Sequence, residues 1–86
     1  MNKVKEFRQE ILNGNDLEFA YKGENFIITK VYDINTLNIV GISVNGGKNH
    51  RVDLEFKDVD DLIKNLKFDG LTLKELLEQL DSYAYT

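Results

Sequence analysis

The segment Gly41–His50, GISVNGGKNH, gathers the residue types of a phosphate-binding loop: glycines, a lysine and the chain's single histidine. A P-loop requires G-x-x-x-x-G-K-[ST] between a strand and a helix, so that loop amides and the helix N-terminus cradle phosphates while the hydroxyl holds magnesium. Here five residues separate Gly41 from the Gly47-Lys48 pair, Asn49 stands at the Ser/Thr position, and the following HRVDLEF alternates like a strand. Nucleotide binding by this loop is therefore rejected. Asn45, Gly46 and Gly47 are expected to form a hairpin turn, whose positive φ angles they tolerate. His50 has no second histidine and no cysteine with which to build a metal site, so it is expected to be a half-exposed strand residue, and no metal or cofactor is expected.

The densest set of titratable groups is Asp53, Glu55, Asp58, Asp60 and Asp61. Paired carboxylates do general acid/base work only when something raises one pKa, and alternate strand positions, about 6.5–7 Å apart and facing solvent, offer nothing of the kind. A calcium loop fails on the missing glycine, as does DINTLN, where Leu37 occupies a ligand position. Asp58, Asp60 and Asp61 suit a helix N-terminus, and Asp60 and Lys64 are spaced as an i,i+4 pair. Carboxylates spaced along a strand into a helical turn also resemble a row of phosphates, which would suit a surface that occupies a nucleic-acid-binding groove. Tyr83 and Tyr85 lie beyond the last good helical position, either folded back over a sheet edge or exposed as interface anchors.

These residues must be positioned by a chain of 86 residues, enough for one domain spanning 1–86 with one core. Val4, Phe7, Ile11 and Leu12 fall at helical spacing before an Asn13-Gly14 stop. From Asp16 the period becomes two: Leu17, Phe19 and Tyr21 alternate with Glu18, Ala20 and Lys22, KGEN turns, and Phe26, Ile28, Lys30 and Tyr32 continue the alternation. LNIVGISV reads as a third strand, and HRVDLEF as a fourth with Val52, Leu54 and Phe56 inward. The short connections require an antiparallel meander. Val59, Leu62, Ile63 and Leu66 then follow an Asp58 N-cap. Thr72 and Glu75 form a capping box, with Leu71 and Leu76 placed as a hydrophobic staple before an apolar face of Leu73, Leu76, Leu77 and Leu80. The expected fold is α+β: an N-terminal helix, a four-stranded antiparallel meander and two C-terminal helices packed on the sheet. Ile27, Val31, Val40, Ile42 and Val44 are expected on the second sheet face. If no helix covers that face, its apolar character favours a homodimer or a partner.

A net charge of −4 argues against direct nucleic-acid binding, which relies on Lys and Arg against phosphates. The absence of cysteine, of an ~18-residue apolar run and of a signal-peptide core near the start leads to the expectation of a cytoplasmic protein with no membrane association.

DLEFAYKGENFIIT and FDGLTLKELLEQL together resemble a set of small α+β proteins from low-GC Gram-positive bacteria and their phages, in which an E-F-x-Y-x-G-x-x-[YF]-x-I hairpin precedes a D-G-x-x-L-x-E-L helix. Glu18, Phe19, Tyr21, Gly23, Phe26 and Ile28 match the first pattern, and Asp69, Gly70, Leu73, Glu75 and Leu76 the second. The matched residues have core, turn or cap roles. The resemblance implies a phage or mobile-element setting, where small acidic proteins often inhibit host defence enzymes or neutralise toxins. The expected function is a non-catalytic module that binds and occludes a protein partner, such as a nucleic-acid-binding defence nuclease, through Asp53, Glu55, Asp58, Asp60, Asp61, Tyr83 and Tyr85. An immunity protein or antitoxin and a self-assembling structural protein are the alternatives.

Overall fold

A computed structural model describes residues 2–86. Helix α1 (Lys3–Leu12) begins at Asn2, whose side chain accepts the Val4 and Lys5 amides. It ends in a Schellman arrangement, with Gly14 at φ +96° and amide bonds from Gly14 to Ile11 and from Asn15 to Glu10. Its buried residues are Phe7 and Ile11; Leu12 is 57% exposed.

The strands are β1 (Leu17–Tyr21), β2 (Glu24–Tyr32), β3 (Ile39–Gly46) and β4 (Val52–Phe56), followed by α2 (Val59–Asn65), α3 (Leu73–Leu77) and a fifth strand, β5 (Ser82–Tyr85). The sheet is antiparallel throughout, in the order β4-β3-β2-β1-β5. The meander expected from the sequence is present, but the sheet has five strands rather than four. After β4 the chain passes through both short helices to the opposite edge, where the tail pairs with β1 and Asp16 and Thr86 exchange backbone hydrogen bonds of 2.9 Å. Pairing with a strand more than sixty positions upstream decides this element, and local periodicity does not reveal it.

Register places Leu17, Phe19, Phe26, Ile28, Ile42, Val44 and Val52 on one face, where they form a single buried cluster with α1, α2 and α3. Ile42 and Val44 were expected on the second face. They pair instead with Lys30 and Ile28 and are buried in the core, because a one-residue difference in frame turns every side chain of a strand over. Val40 is the extra residue at a bulge between the Val31–Gly41 and Tyr32–Ile39 pairs, and it is exposed. At the centre of the core Phe68 meets Phe19, Tyr21 and Phe26 at ring-centroid distances of 5.8, 5.5 and 4.9 Å.

The capping box at Thr72 and Glu75 is formed. Asp69 and Gly70, both at positive φ, make a two-residue turn closed by reciprocal Phe68–Leu71 hydrogen bonds of 2.8 Å, the geometry that an Asp-Gly pair favours. Gly46 and Gly47 also take positive φ, but Lys48–His50 is a short 3₁₀ turn before β4. His50 is therefore an exposed turn residue at φ +52° rather than a strand residue.

Candidate functional site

Because α1, α2 and α3 share one core with a single face of the sheet, the opposite face carries no helix among the described residues. Its strand positions follow from the register: Glu18 and Ala20 on β1; Asn25, Ile27, Thr29 and Val31 on β2; Gly41, Ser43 and Asn45 on β3; Asp53 and Glu55 on β4; Ser82 and Ala84 on β5. The apolar character expected of this face is reduced to a strip at Ile27 and Val31, both partly buried. Ser43 and Asn45 lie beside it, joined by a 2.9 Å hydrogen bond.

All three charged strand positions on this face are carboxylates: Glu18, Asp53 and Glu55. Each is exposed, and among the described residues none takes part in an ion pair. Glu18 and Asp53 lie on one cross-strand row through Ile27 and Asn45, so three strand spacings, about 14 Å, separate them. Asp53 and Glu55 are two residues apart on the edge strand, about 7 Å. Beside Glu18, the small side chains of Ala20, Ser82 and Ala84 leave an open depression of about 450 Å³, with Asn25 at its border.

The rest of the acidic series does other work. Asp58 caps α2 by accepting the Asp61 amide at 2.8 Å. Asp61 accepts the Lys57 amide at 2.9 Å and the Asn65 side chain at 2.7 Å, which together hold its carboxyl below the ordinary aspartate value. Asp60 is paired with Arg8 of α1, Nε to Oδ1 at 2.8 Å, rather than with Lys64 as its spacing suggested; that hydrogen bond lowers its pKa. Local spacing favoured Lys64, but α1 and α2 pack side by side and bring Arg8 closer. The structure thus separates Asp53 and Glu55 from Asp58, Asp60 and Asp61.

Tyr83 and Tyr85 pair with Phe19 and Leu17, which places them on the helix-bearing face at the edge opposite Asp53 and Glu55. Their rings meet edge to face at 5.9 Å. Tyr85 is partly buried and packs against the core while Tyr83 remains 46% exposed; burial, then the nearby Glu6, Tyr83 and Glu10, push the Tyr85 phenol upward.

One cluster was not anticipated. Arg51 reaches Glu24 at 2.8 Å and Asp69 at 2.9 Å and lies over the Phe26 ring at 5.4 Å, fastening the Lys48–His50 turn to the start of β2 and to the Asp69-Gly70 turn. Its members are far apart in sequence, so no spacing rule signals it. The Arg51 hydrogen bonds lower the Glu24 and Asp69 pKa values, with the Lys48 amide adding to the effect at Glu24. At Glu75 the Thr72 backbone and hydroxyl act in the same direction.

Five carboxylates, Glu24, Asp60, Asp61, Asp69 and Glu75, are therefore depressed in the folded state. A depressed carboxylate contributes stability that is present in full above its unfolded value, near 4, and is lost as pH falls from there through the folded value. Denaturation midpoints should thus be flat near neutrality and fall below about pH 4–5. Arg51→Met, which removes the partner of two of the five, should give a shallower decline. A midpoint unchanged between pH 7 and pH 3 would refute the coupling.

Among the described residues no group of three or more His, Cys, Asp or Glu is placed to hold a metal, and no helix is long and apolar enough to cross a membrane. Comparison with protein-family models, curated proteins and solved structures finds no match to the chain.

Proposed function

We propose that the chain is a non-catalytic interaction module that lays its helix-free sheet face on a basic surface of a macromolecular partner and so occludes it. The partner class we favour is a nucleic-acid-handling protein such as a bacterial defence nuclease. The observation that carries this reading is that every charged strand position on that face is an exposed, unpaired carboxylate. A groove built for nucleic acid is lined with Lys and Arg, and spaced carboxylates on a flat surface meet the same cations that phosphates would. The depression over Ala20 and Ala84 has room for one long basic side chain whose charge reaches Glu18. The acidic surface proposed here is thus Glu18, Asp53 and Glu55; Asp58, Asp60 and Asp61 serve the fold.

The test uses tagged protein and a triple variant, Glu18→Gln, Asp53→Asn and Glu55→Gln, in pull-downs from host lysate at low and high salt, with mass-spectrometric identification. The native chain should retain a nucleic-acid-handling protein at low salt and release it at high salt. The variant, checked for native circular dichroism, should bind that protein at least about tenfold more weakly. Retention indifferent to both salt and neutralisation would overturn the proposal.

A further inference from the structure

Six of the seven exposed large apolar side chains among the described residues lie at one end of the molecule: Leu12, Tyr32, Ile34, Leu37, Ile39 and Val40. Five of them belong to the β2–β3 hairpin. The tip of that hairpin reverses the usual arrangement of a loop. Two of its polar side chains bond the loop backbone: the Asp33 carboxylate accepts the Asn35 and Thr36 amides at 2.7 and 3.3 Å, and the Thr36 hydroxyl accepts the Asn38 amide at 3.3 Å. Backbone bonds from Asp33 to Asn38 and from Leu37 to Asp33, 2.8 and 2.7 Å, close the loop. The apolar side chains face water, Ile34 at 88% and Leu37 at 74% exposure.

Leu37 also has φ +61°, a conformation that suits glycine or asparagine and is an outlier for a bulky residue. The fold of a single copy therefore gains nothing from leucine at this position, either through burial or through backbone geometry. A built loop that holds two apolar side chains away from its own core presents a knob.

The matching hole is on the same chain. Where the end of α1 meets β3 and the start of α2, Ile11, Leu12, Ile39, Ile42 and Val59 line an open cavity of about 200 Å³ together with Gly41, Lys30, Lys57 and Asp58. Its volume is enough for an aliphatic side chain, since about 150 Å³ holds a benzene ring. Charge complements shape: the knob carries Asp33, one of whose carboxylate oxygens is unused, and of the charged groups in the hole Lys30 is paired with Asp16 and Asp58 caps α2, which leaves Lys57 outside every ion pair among the described residues.

We propose that two copies of the chain associate about a two-fold axis, each inserting the Ile34 and Leu37 tip of its β2–β3 hairpin into the cavity between α1, β3 and α2 of the other. Knob and hole lie within one patch, as an isologous contact requires, and the contact satisfies both at once. The tip residues Ile34 and Leu37 lie beyond the strand positions of the carboxylate face, so a dimer would carry two such faces.

Sedimentation equilibrium and light scattering across a concentration series test the proposal directly. The chain, 9.9 kDa as a monomer, should reach a limiting mass of about 20 kDa. Ile34→Asp should weaken association at least about tenfold while leaving circular dichroism native, and Lys57→Glu should weaken it in a salt-dependent way. Leu37→Asn separates the two roles of that position: asparagine accepts the backbone conformation, so thermal stability measured at monomeric concentration should hold or rise while dimerisation weakens. A monomeric mass up to about 1 mM would overturn the proposal. So would a dimer indifferent to both Ile34→Asp and Leu37→Asn, or open-ended growth in mass with concentration, which marks a head-to-tail contact.

Discussion

Phe68→Ala is expected to destabilise the protein by about 3–5 kcal/mol, the usual cost of removing a buried phenylalanine together with the cavity it leaves. The ring is 1% exposed and touches three other aromatic rings: it meets Phe19 and Phe26, themselves stacked at 5.3 Å, and Tyr21 edge to face. A chain of this length has on the order of 4–13 kcal/mol of total stability, so the loss is between a quarter and all of it. At about 4–8 °C per kcal/mol the melting temperature should fall by roughly 12–40 °C. Phe68→Leu, which retains much of the volume, should cost clearly less, and the difference between the two variants isolates the cavity. A Phe68→Ala loss below about 1 kcal/mol in urea denaturation would show that the aromatic cluster repacks and that Phe68 is not its centre.

Phe68 also shows where the sequence becomes hard to read. Between two helical patterns, FDG announces a turn, and the turn forms at Asp69-Gly70. Nothing local shows that the preceding phenylalanine is swallowed by a sheet built forty residues earlier. Signals contained within a few residues were legible: the Asn13-Gly14 helix stop, the β1–β2 alternation, the Asp58 cap and the Thr72/Glu75 box all appear in the structure. What depends on register or on distant partners was not. Alternation alone gives β3 the opposite frame and puts Ile42 and Val44 on the wrong face, and although a tail folded back over a sheet edge is one of the two readings of Tyr83 and Tyr85, its strand pairing is not legible because four residues acquire strand character only beside β1.

The candidate site shows the same division. Asp53 and Glu55 stand out in the sequence, yet Glu18 joins them only through the row that Glu18, Ile27, Asn45 and Asp53 form across four strands. The outward parity of Glu18 against Leu17 and Phe19 was visible, but the alignment across four strands was not. Asp60 was assigned to Lys64 by spacing, while packing gave it Arg8.

Lys30→Met is the second substitution expected to have a large effect, about 2–3 kcal/mol, because it strands polar groups rather than emptying a cavity. By alternation Lys30 points to the core side of β2, and its side chain is only 9% exposed. Its ammonium donates to the Gly14 carbonyl at 2.8 Å, the Asn15 carbonyl at 3.3 Å and the Asp16 carboxylate at 2.6 Å. Methionine preserves most of the apolar stem and removes all three bonds. Asp16→Asn alone should cost less, and the double variant should be little worse than Lys30→Met, leaving a coupling of about 1 kcal/mol in a double-mutant cycle. Additive losses would show that the two side chains do not act as a pair.

The location of the damage is the more specific expectation. Asp16 exchanges backbone hydrogen bonds with Thr86, so Lys30 secures the point where the end of α1, the start of β1 and the end of β5 meet. Loosening that point should release the outermost strand before the core, lowering hydrogen-exchange protection at Glu18 and Ala84 more than at Ile28 or Val44. Glu18 and the depression over Ala84 belong to the proposed binding face, so binding through that face should weaken at temperatures where the core is still intact. Uniform loss of protection across all five strands would instead make Lys30 a residue of global stability alone.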